Sequence, residues 1–310
     1  MPNLSVVVVN YNTGPLLEQC LRSVRRFAGD LELDIVVVDN ASSDESVDAV
    51  ARFPEVRLIR NHQNFGFAHA ANQGIEASTR YYLVLLNPDT VVVSPVFRAL
   101  VDFADACPDA GIVGPRLLNP DGSLQPSAYR FPTLVQAVGT ILGLRRVLPV
   151  RFLRARMGRW LGRYFGQLDP HIQPREVDYV TGACMLIRRE VIQQIGGFDS
   201  RFFLYFEDKD LCWRARHAGW NVYFTPVAEA VHYIGRSSRN HPDTVVTERF
   251  RSMRQFYDKH YTWPARLALR GVLLFGGLIR LAGAALTRDR EHARAWVSVL
   301  GLALRPRYTG

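Results

Sequence analysis

LSVVVVNYNTGPLLEQCLRSVRRFAGDLELDIVVVDNASSDES, residues 4–46, contains two runs of branched apolar residues, each ending in Asn or Asp, with helically spaced leucines between them. Uninterrupted valine and isoleucine mark strands buried on both faces, and a helix between two such strands brings the chain back so that they pair in parallel. The pattern repeats: 5–9, 33–39, 56–60 and 81–87 read as strands, and 15–27, 42–53, 67–78 and 95–106 as helices. An α/β class with a mainly parallel sheet flanked by helices follows. Ligands of such sheets gather outside the carboxyl ends of the strands.

With 310 residues, 48% hydrophobic and 22% charged, the chain is a folded globular one, large enough for one domain with appendages or two small domains. Its net charge of +9 is local. Arg130, Arg145, Arg146, Arg151, Arg154, Arg156, Arg159 and Arg163 crowd one stretch, and 266–307 is a second basic region. Each is either a solvated face or a site for an anionic partner. Cys20, Cys107, Cys184 and Cys212 are scattered, without metal or disulfide spacing, so reduced thiols are expected. The opening MPNLSVVVVNYN lacks the basic start and long apolar run of an export signal, so a cytoplasmic location is expected and the match of Asn40-Ala41-Ser42 to a glycosylation site is incidental.

Polar residues stand at the strand ends: Asn10-Tyr11-Asn12, Asp39-Asn40, 61–66 and Asn87-Pro88-Asp89. Each taken singly is also good turn chemistry; four in succession would line one crevice. The Asp39 carboxylate could accept from a pyrimidine N3–H or a ribose hydroxyl. Asn64-Phe65-Gly66-Phe67-Ala68 opens a helix whose free N–H groups favour a diphosphate, with Gly66 allowing close approach. Neither G-x-G-x-x-G nor G-x-x-x-x-G-K-[ST] occurs. Asp89 is a hard oxygen ligand for a divalent cation, and His232 could be a second ligand or a structural histidine beside aromatics.

FFLYFEDKDLCWRARHAGW, 202–220, runs aromatic residues into Glu207, Asp208 and Asp210, acids that the helix dipole alone would favour in a first turn. Residues 126–176 read as a basic amphipathic insertion. The apolar stretch 271–286 carries Arg280 and falls short of the about 20 residues of a span, so it reads as interfacial or as packed on the rest of the fold.

VVVVNYN, VVVDNASSDES, NFGFAHAANQG, LLNPDT, VTGACMLIRREVIQQIGGFDSRFFLYFEDKDLCWRARHAGW and VHYIGRSS, in this order over about residues 3–240, resemble the family 2 inverting glycosyltransferases of GT-A fold. The last two blocks are most similar to the bacterial rhamnosyltransferase branch. The resemblance implies a Rossmann-like catalytic domain over 1–240, interrupted by the insertion, and a C-terminal helical region over 241–310. It implies that Asn10, Tyr11, Asn12, Asp39, Asn64, Gly66, Phe67, Asn72 and Asn87 surround the nucleotide, while Asp89 and His232 hold Mn2+ or Mg2+ on the diphosphate. Asn87 stands where many relatives carry Asp, so it implies a contact to nucleotide or an outer water rather than to the metal.

In the same family the second acid of a Glu-Asp pair takes the acceptor proton, which implies Asp208 as the base. Thr181, Gly182 and Ala183 then lie near donor sugar and acceptor, Glu207 or Asp210 orients the acceptor or caps the helix, and the aromatic run lines the acceptor pocket. The implied reaction moves a sugar from a nucleoside-diphosphate donor, dTDP-L-rhamnose expected, to a glycan or lipid-linked acceptor at the inner face of the membrane. Nucleic acid is not an expected partner. The alternatives are a UDP-sugar donor, a nucleotidyltransferase, which would need a basic glycine loop after the first strand, and a non-catalytic membrane module. A processive synthase lacks support, because Q-x-x-R-W is missing.

Overall fold

A computed structural model describes residues 3–142, 172–233 and 242–306. Most of the basic insertion, with Arg145 through Arg163, and the GRSS segment at 235–238 lie outside the described residues. The described residues form two compact units: 3–129, 172–203 and 207–233 in the first, and 130–142, 204–206 and 242–306 in the second. Of the insertion drawn at 126–176, residues 130–142 thus group with the C-terminal helices and 126–129 with the sheet.

The first unit opens with β1 (Asn3–Asn10), α1 (Gly14–Arg26), β2 (Glu32–Asp39), α2 (Ser46–Val50), β3 (Val56–Arg60), α3 (Phe67–Ala77) and β4 (Tyr82–Leu86). It continues with β5 (Thr90–Val92), α4 (Val96–Ala106), β6 (Ala110–Leu118), β7 (Leu124–Gln125) and β8 (Ala128–Tyr129). Beyond the insertion come β9 (Arg175–Val177), β10 (Tyr179–Val180), β11 (Cys184–Arg188), α6 (Arg189–Ile195), α7 (Glu207–His217) and β12 (Asn221–His232). The main sheet runs β3-β2-β1-β4-β11-β6-β12-β5. Its β3-β2, β2-β1, β1-β4 and β6-β12 pairings are parallel, whereas β11 and β5 run antiparallel to their neighbours.

The valine run is explained by burial on both faces. Val6 and Val8 join a core with Leu17, Leu21 and Leu100, while Val7 faces α3, where a Cβ on Gly74 would come 2.3 Å from Val7 Cγ1. Alternate side chains of a strand point to opposite sides, so only a sheet covered on both sides uses four valines in succession.

The second helix, expected over 42–53, is confined to Ser46–Val50. The residues before it serve the end of β1 instead. Ser42 Oγ accepts from Asn12 N at 2.9 Å, Asp44 Oδ2 accepts from Gly14 N at 2.9 Å, and Asn12 Oδ1 accepts from Ser43 N at 2.7 Å. Short polar side chains that pair with nearby backbone compete with helix formation.

The second unit contains α5 (Leu134–Ile141), α8 (Pro242–His260), α9 (Trp263–Leu286) and α10 (Arg290–Leu304). A Thr133–Gln136 capping box starts α5. Gly276 and Gly277 let α9 approach its neighbours: added Cβ atoms would stand 2.2 Å from Ile141 Cγ2 and 2.8 Å from Leu300 Cδ2. Phe206, assigned above to an acceptor pocket, packs in this unit against Phe256 with ring centroids 5.6 Å apart. The apolar stretch 271–286, too short to span by itself, is part of the 24-residue α9, which is long and apolar enough to cross a membrane by length and composition. At 1.5 Å per residue α9 is about 36 Å long, against a hydrocarbon core of about 30 Å.

Candidate active site

The parallel register sets Asn10 of β1 directly opposite Asp39 of β2. Asn10 Nδ2 donates to Asp39 Oδ1 at 2.7 Å and to Ser42 Oγ at 3.0 Å, and Thr13 Oγ1 donates to Asn10 Oδ1. Asp39 Oδ2 accepts from Ser42 N at 3.1 Å. Each carboxylate oxygen therefore keeps a lone pair after its internal bond, enough to read an N–H of a base. Tyr11 and Asn12 are half-buried beside this pair, with Asn12 held at φ +52°.

Asn40, expected above only as a polar strand end, organises the next loop. Its side chain donates to Asn64 Oδ1 at 2.9 Å and to Gly66 O at 3.1 Å, and accepts from Asn61 Nδ2 at 3.0 Å and Phe65 N at 3.2 Å. One buried amide thus shapes the whole loop after β3. A run of four polar side-chain and main-chain partners more than 20 residues away leaves no mark in local sequence.

At the helix start where a diphosphate is expected, Gly66 N donates to Asn64 Oδ1 at 2.9 Å and Phe67 N to Phe203 O at 2.7 Å. Gly66, at φ +86°, does permit a close approach, but of the chain itself: a Cβ there would stand 2.7 Å from Phe203 O. The Asn72 amide donates to Phe198 O at 2.7 Å and accepts from Phe198 N at 2.8 Å, a two-point clamp on the loop after α6. Arg214, which sequence reading missed, holds the same loop by donating to Ile195 O at 2.9 Å and Gly197 O at 2.7 Å.

Asp89 and His232 meet although 143 positions separate them in sequence. Antiparallel pairing sets His232 of β12 opposite Thr90 of β5, and Tyr233 N donates to Asp89 O at 2.9 Å. The side chains then lie with His232 Nε2 3.3 Å from Asp89 Oδ1. Gln125 fixes the ring: its Nε2 donates to His232 O and to Asn119 Oδ1, each at 3.0 Å, which turns its Oε1 toward His232 Nδ1 at 2.8 Å. The network assigns the hydrogen to Nδ1 and aims Nε2 at the carboxylate.

An imidazole lone pair against a carboxylate oxygen is repulsive unless a proton or metal cation lies between. The 3.3 Å spacing is close to that of adjacent ligands each about 2.1 Å from one six-coordinate ion. Gln125 plays the part of the outer hydrogen-bond partner that ligating histidines have. No third His, Cys, Asp or Glu joins them among the described residues. Asn87 is half-buried at the same strand end, its side-chain amide without a hydrogen bond among the described residues.

Residues 181–183 join this corner to the acids of α7. Ala183 O accepts from Asn87 N at 3.0 Å and from Thr90 Oγ1 at 3.1 Å. One residue away, Gly182 N lies 3.4 Å from Asp208 Oδ2, and Thr181 N donates to Ser127 O at 3.0 Å. Asp208 Oδ1 also accepts from Lys209 N at 2.8 Å and pairs with Lys209 Nζ at 3.3 Å.

Just before α7 the non-glycine residues Tyr205 and Phe206 sit at φ +68° and +70°, two strained positions in succession of the sort found where a site dictates backbone geometry. Asp210 is fully buried with Oδ2 2.7 Å from Arg214 Nε and anchors that guanidinium. Glu207 is buried too, with Oε2 unpartnered, and burial, seconded by the Asp208 charge, pushes its carboxyl up to about 8.

A largely parallel sheet whose polar strand ends bring together an acid–imidazole pair and a buried carboxylate defines a GT-A-like sugar-transferring class. The glycosyl transferase family 2 domain matches residues 5–196. The chain is 34% identical over 287 residues, 87% of its length and 90% of the relative's, to N-acetylglucosaminyl-diphospho-decaprenol L-rhamnosyltransferase of Mycobacterium tuberculosis. It is 28% identical over 262 residues, covering 83% of this chain and 73% of the relative, to the low-salt glycan biosynthesis hexosyltransferase Agl10 of Haloferax volcanii. The mannosyltransferase PcManGT of Pyrobaculum calidifontis, solved with GDP-Man and Mn2+, shares the fold at TM-score 0.56 over 98% of this chain and 87% of that one, with 18% identity. The chain belongs to glycosyltransferase family 2.

Proposed function

We propose that the chain transfers L-rhamnose from dTDP-L-rhamnose to a hydroxyl of an N-acetylglucosaminyl-diphospho-polyprenol, with inversion at the anomeric carbon. The acceptor class is that in the name of the mycobacterial relative, which the chain matches over 90% of the relative's length. One observation supports the chemistry: hydrogen bonds through the consecutive residues Gly182 and Ala183 tie Asp208 to Asn87, two positions from Asp89 of the Asp89–His232 pair.

In the transfer the acceptor oxygen bonds to the anomeric carbon as the bond from that carbon to the diphosphate oxygen breaks. The hydroxyl proton passes to the Asp208 carboxylate and the nucleoside diphosphate leaves. Lys209 and the Gly182 N–H hold Asp208 in place. Asp39, aligned by Asn10 and Ser42, accepts from the base or ribose, and Asn87 borders the diphosphate. Asp89 and His232 would hold a divalent cation, which when bound offsets charge building on the departing diphosphate. A UDP-sugar is the second reading, because uracil presents the same N3–H as thymine and TarS of S. aureus, which shares the fold at TM-score 0.54 and 15% identity, is solved with UDP.

A panel of dTDP-rhamnose, UDP-sugars and GDP-mannose, each given with the polyprenyl acceptor and Mn2+ or Mg2+, tests the reading. Release of dTDP with a rhamnosylated product is the expected result. Turnover with a different donor moves the donor assignment, and consumption of a nucleoside triphosphate would replace transferase by nucleotidyltransferase.

The second unit supplies a membrane surface on this reading. Leu269, Leu273 and Ala284 of α9 are buried, while Trp263, Leu267, Phe275 and Leu278 stand exposed on the opposite side of the same helix. A helix apolar on both sides in this way seeks lipid or protein on its outer face, and the arginines of α9 and α10 suit an anionic bilayer. Replacing Leu267, Phe275 and Leu278 together by Asn is expected to abolish co-sedimentation with anionic vesicles and leave transfer to a detergent-soluble acceptor intact. Vesicle binding that persists in the triple variant would place the contact elsewhere.

A further inference from the structure

Three acids crowd the first turn of α7, and their surroundings separate them. Asp210 pairs with Arg214 at 2.7 Å. Asp208 has Lys209 Nζ at 3.3 Å and the Lys209 and Gly182 amides. Glu207 has no cation of its own and only its own backbone N–H as a donor: it is 8% exposed, and its Oε2 is buried without a hydrogen bond. The charged groups acting on it are Asp208, Lys209 and Asp210, all on α7. Gly182 and Tyr179, which reach this turn from the neighbouring segment, bring no carboxylate or cation, and the Tyr179 ring lies under Lys209 Nζ at 4.8 Å.

An anion at Glu207 would be a third buried carboxylate with both nearby cations already taken, the arrangement that burial and like charge make most costly. A neutral acid avoids that cost. It also keeps the Lys209 attraction on Asp208, the one carboxylate of the three that touches the 181–183 segment leading to Asp89.

We propose that Glu207 works as a neutral carboxylic acid, a positioning residue that leaves Lys209 to Asp208, and that its ionisation shuts transfer down. On ionising, the proton goes to solvent and the new anion competes with Asp208 for Lys209, whose ammonium stands 3.3 Å from Asp208 Oδ1. The inference rests on Asp208 being the base, and extends it to the residue that keeps the Lys209 cation on that base.

The test has two arms, on the full chain. In the first, the rate of transfer is followed against pH. The wild type is expected to lose rate on an alkaline limb centred near pH 8, where the Glu207 carboxyl titrates. Glu207→Ala should lower kcat at every pH. Glu207→Gln, neutral and of the same shape, should restore kcat to within about twofold and show no alkaline limb.

The second arm needs no substrate: an infrared difference spectrum of wild type minus Glu207→Gln at neutral pH. It should contain a protonated-carboxyl C=O band that disappears as pH rises through about 8 and disappears at lower pH in Asp208→Asn, where the neighbouring charge is gone. Absence of that band overturns the inference even in a chain that transfers no sugar, so its failure is separate from failure of the transferase reading. A band present together with an alkaline limb that survives in Glu207→Gln overturns the role and leaves only the protonation.

Discussion

Asp208→Asn is expected to lower kcat by about 10²- to 10⁴-fold, the range a positioned general base supplies, with donor KM nearly unchanged. Asparagine has nearly the same shape and keeps one main-chain contact, its oxygen accepting from Lys209 N as Asp208 Oδ1 does at 2.8 Å, and gives up only the long one from Gly182 N, 3.4 Å from Oδ2. It cannot accept the acceptor proton. The substitution thus separates chemistry from architecture: melting temperature and nucleotide affinity should stay close to wild type while nucleotide release stops. Asp208→Ala would remove contacts and charge together, which is why the amide is the sharper variant. Full turnover in Asp208→Asn would move the base to another group.

The same acid cluster predicts how stability varies with pH. The folded-state carboxyl of Glu207 stands above its unfolded value of 4.5, at about 8, so between those two pH values the folded chain binds the extra proton. Stability from this group is complete below the unfolded value and is lost as pH rises toward 8. The Glu207→Gln chain described above should accordingly show a flatter dependence of melting temperature over that interval.

Much of this was legible in the sequence, and what was not has definite physical causes. Strands announced themselves because burial on both faces leaves no polar alternation, and the ends of β1, β2 and β4 fall on Asn10, Asp39 and the residue before Asn87. The helix over 42–53 was read too long because Ser42 and Asp44 are tolerable helix residues whose real bonds go to Asn12 and Gly14, some 30 positions away. Gly66 signalled a close approach correctly, but a glycine does not say what approaches, and here it is Phe203. Gln125, Arg214 and the part Asn40 plays escaped notice for the same reason: each acts through partners that only the folded sheet brings near. The full extent of α9 was hidden by Arg266 and Arg270, which break the apolar run without breaking the helix. Long basic side chains can reach past apolar surface to water, so composition understates how far such a helix extends.

Asp89→Asn is the second large expected effect, and it is read first without any substrate. Asp89 is 3% exposed, and its main-chain oxygen, held by Tyr233 N at 2.9 Å, does not depend on the side chain. The amide NH2 of asparagine can face His232 Nε2 and donate to it, which satisfies the ring without any cation. Local structure should therefore survive, and the affinity for a divalent ion should not, because one neutral oxygen and one imidazole hold such an ion poorly. Mn2+ titration followed by electron paramagnetic resonance should show tight binding in the wild type with donor present and only weak binding in Asp89→Asn. Gln125→Leu, which frees the ring but keeps both ligands, should lie between, at about 10- to 100-fold weaker affinity. Transfer should fall by about 10²- to 10³-fold in Asp89→Asn, the scale of losing one preorganised charge at the departing group. In the proposed mechanism the ion and Asp208 act on opposite sides of the anomeric carbon, so the two losses should add in the double variant only while each side still limits the same step. Mn2+ affinity equal to wild type in Asp89→Asn would mean that the pair at the β4 and β12 ends is a hydrogen-bonded structural element and that the cation is held elsewhere.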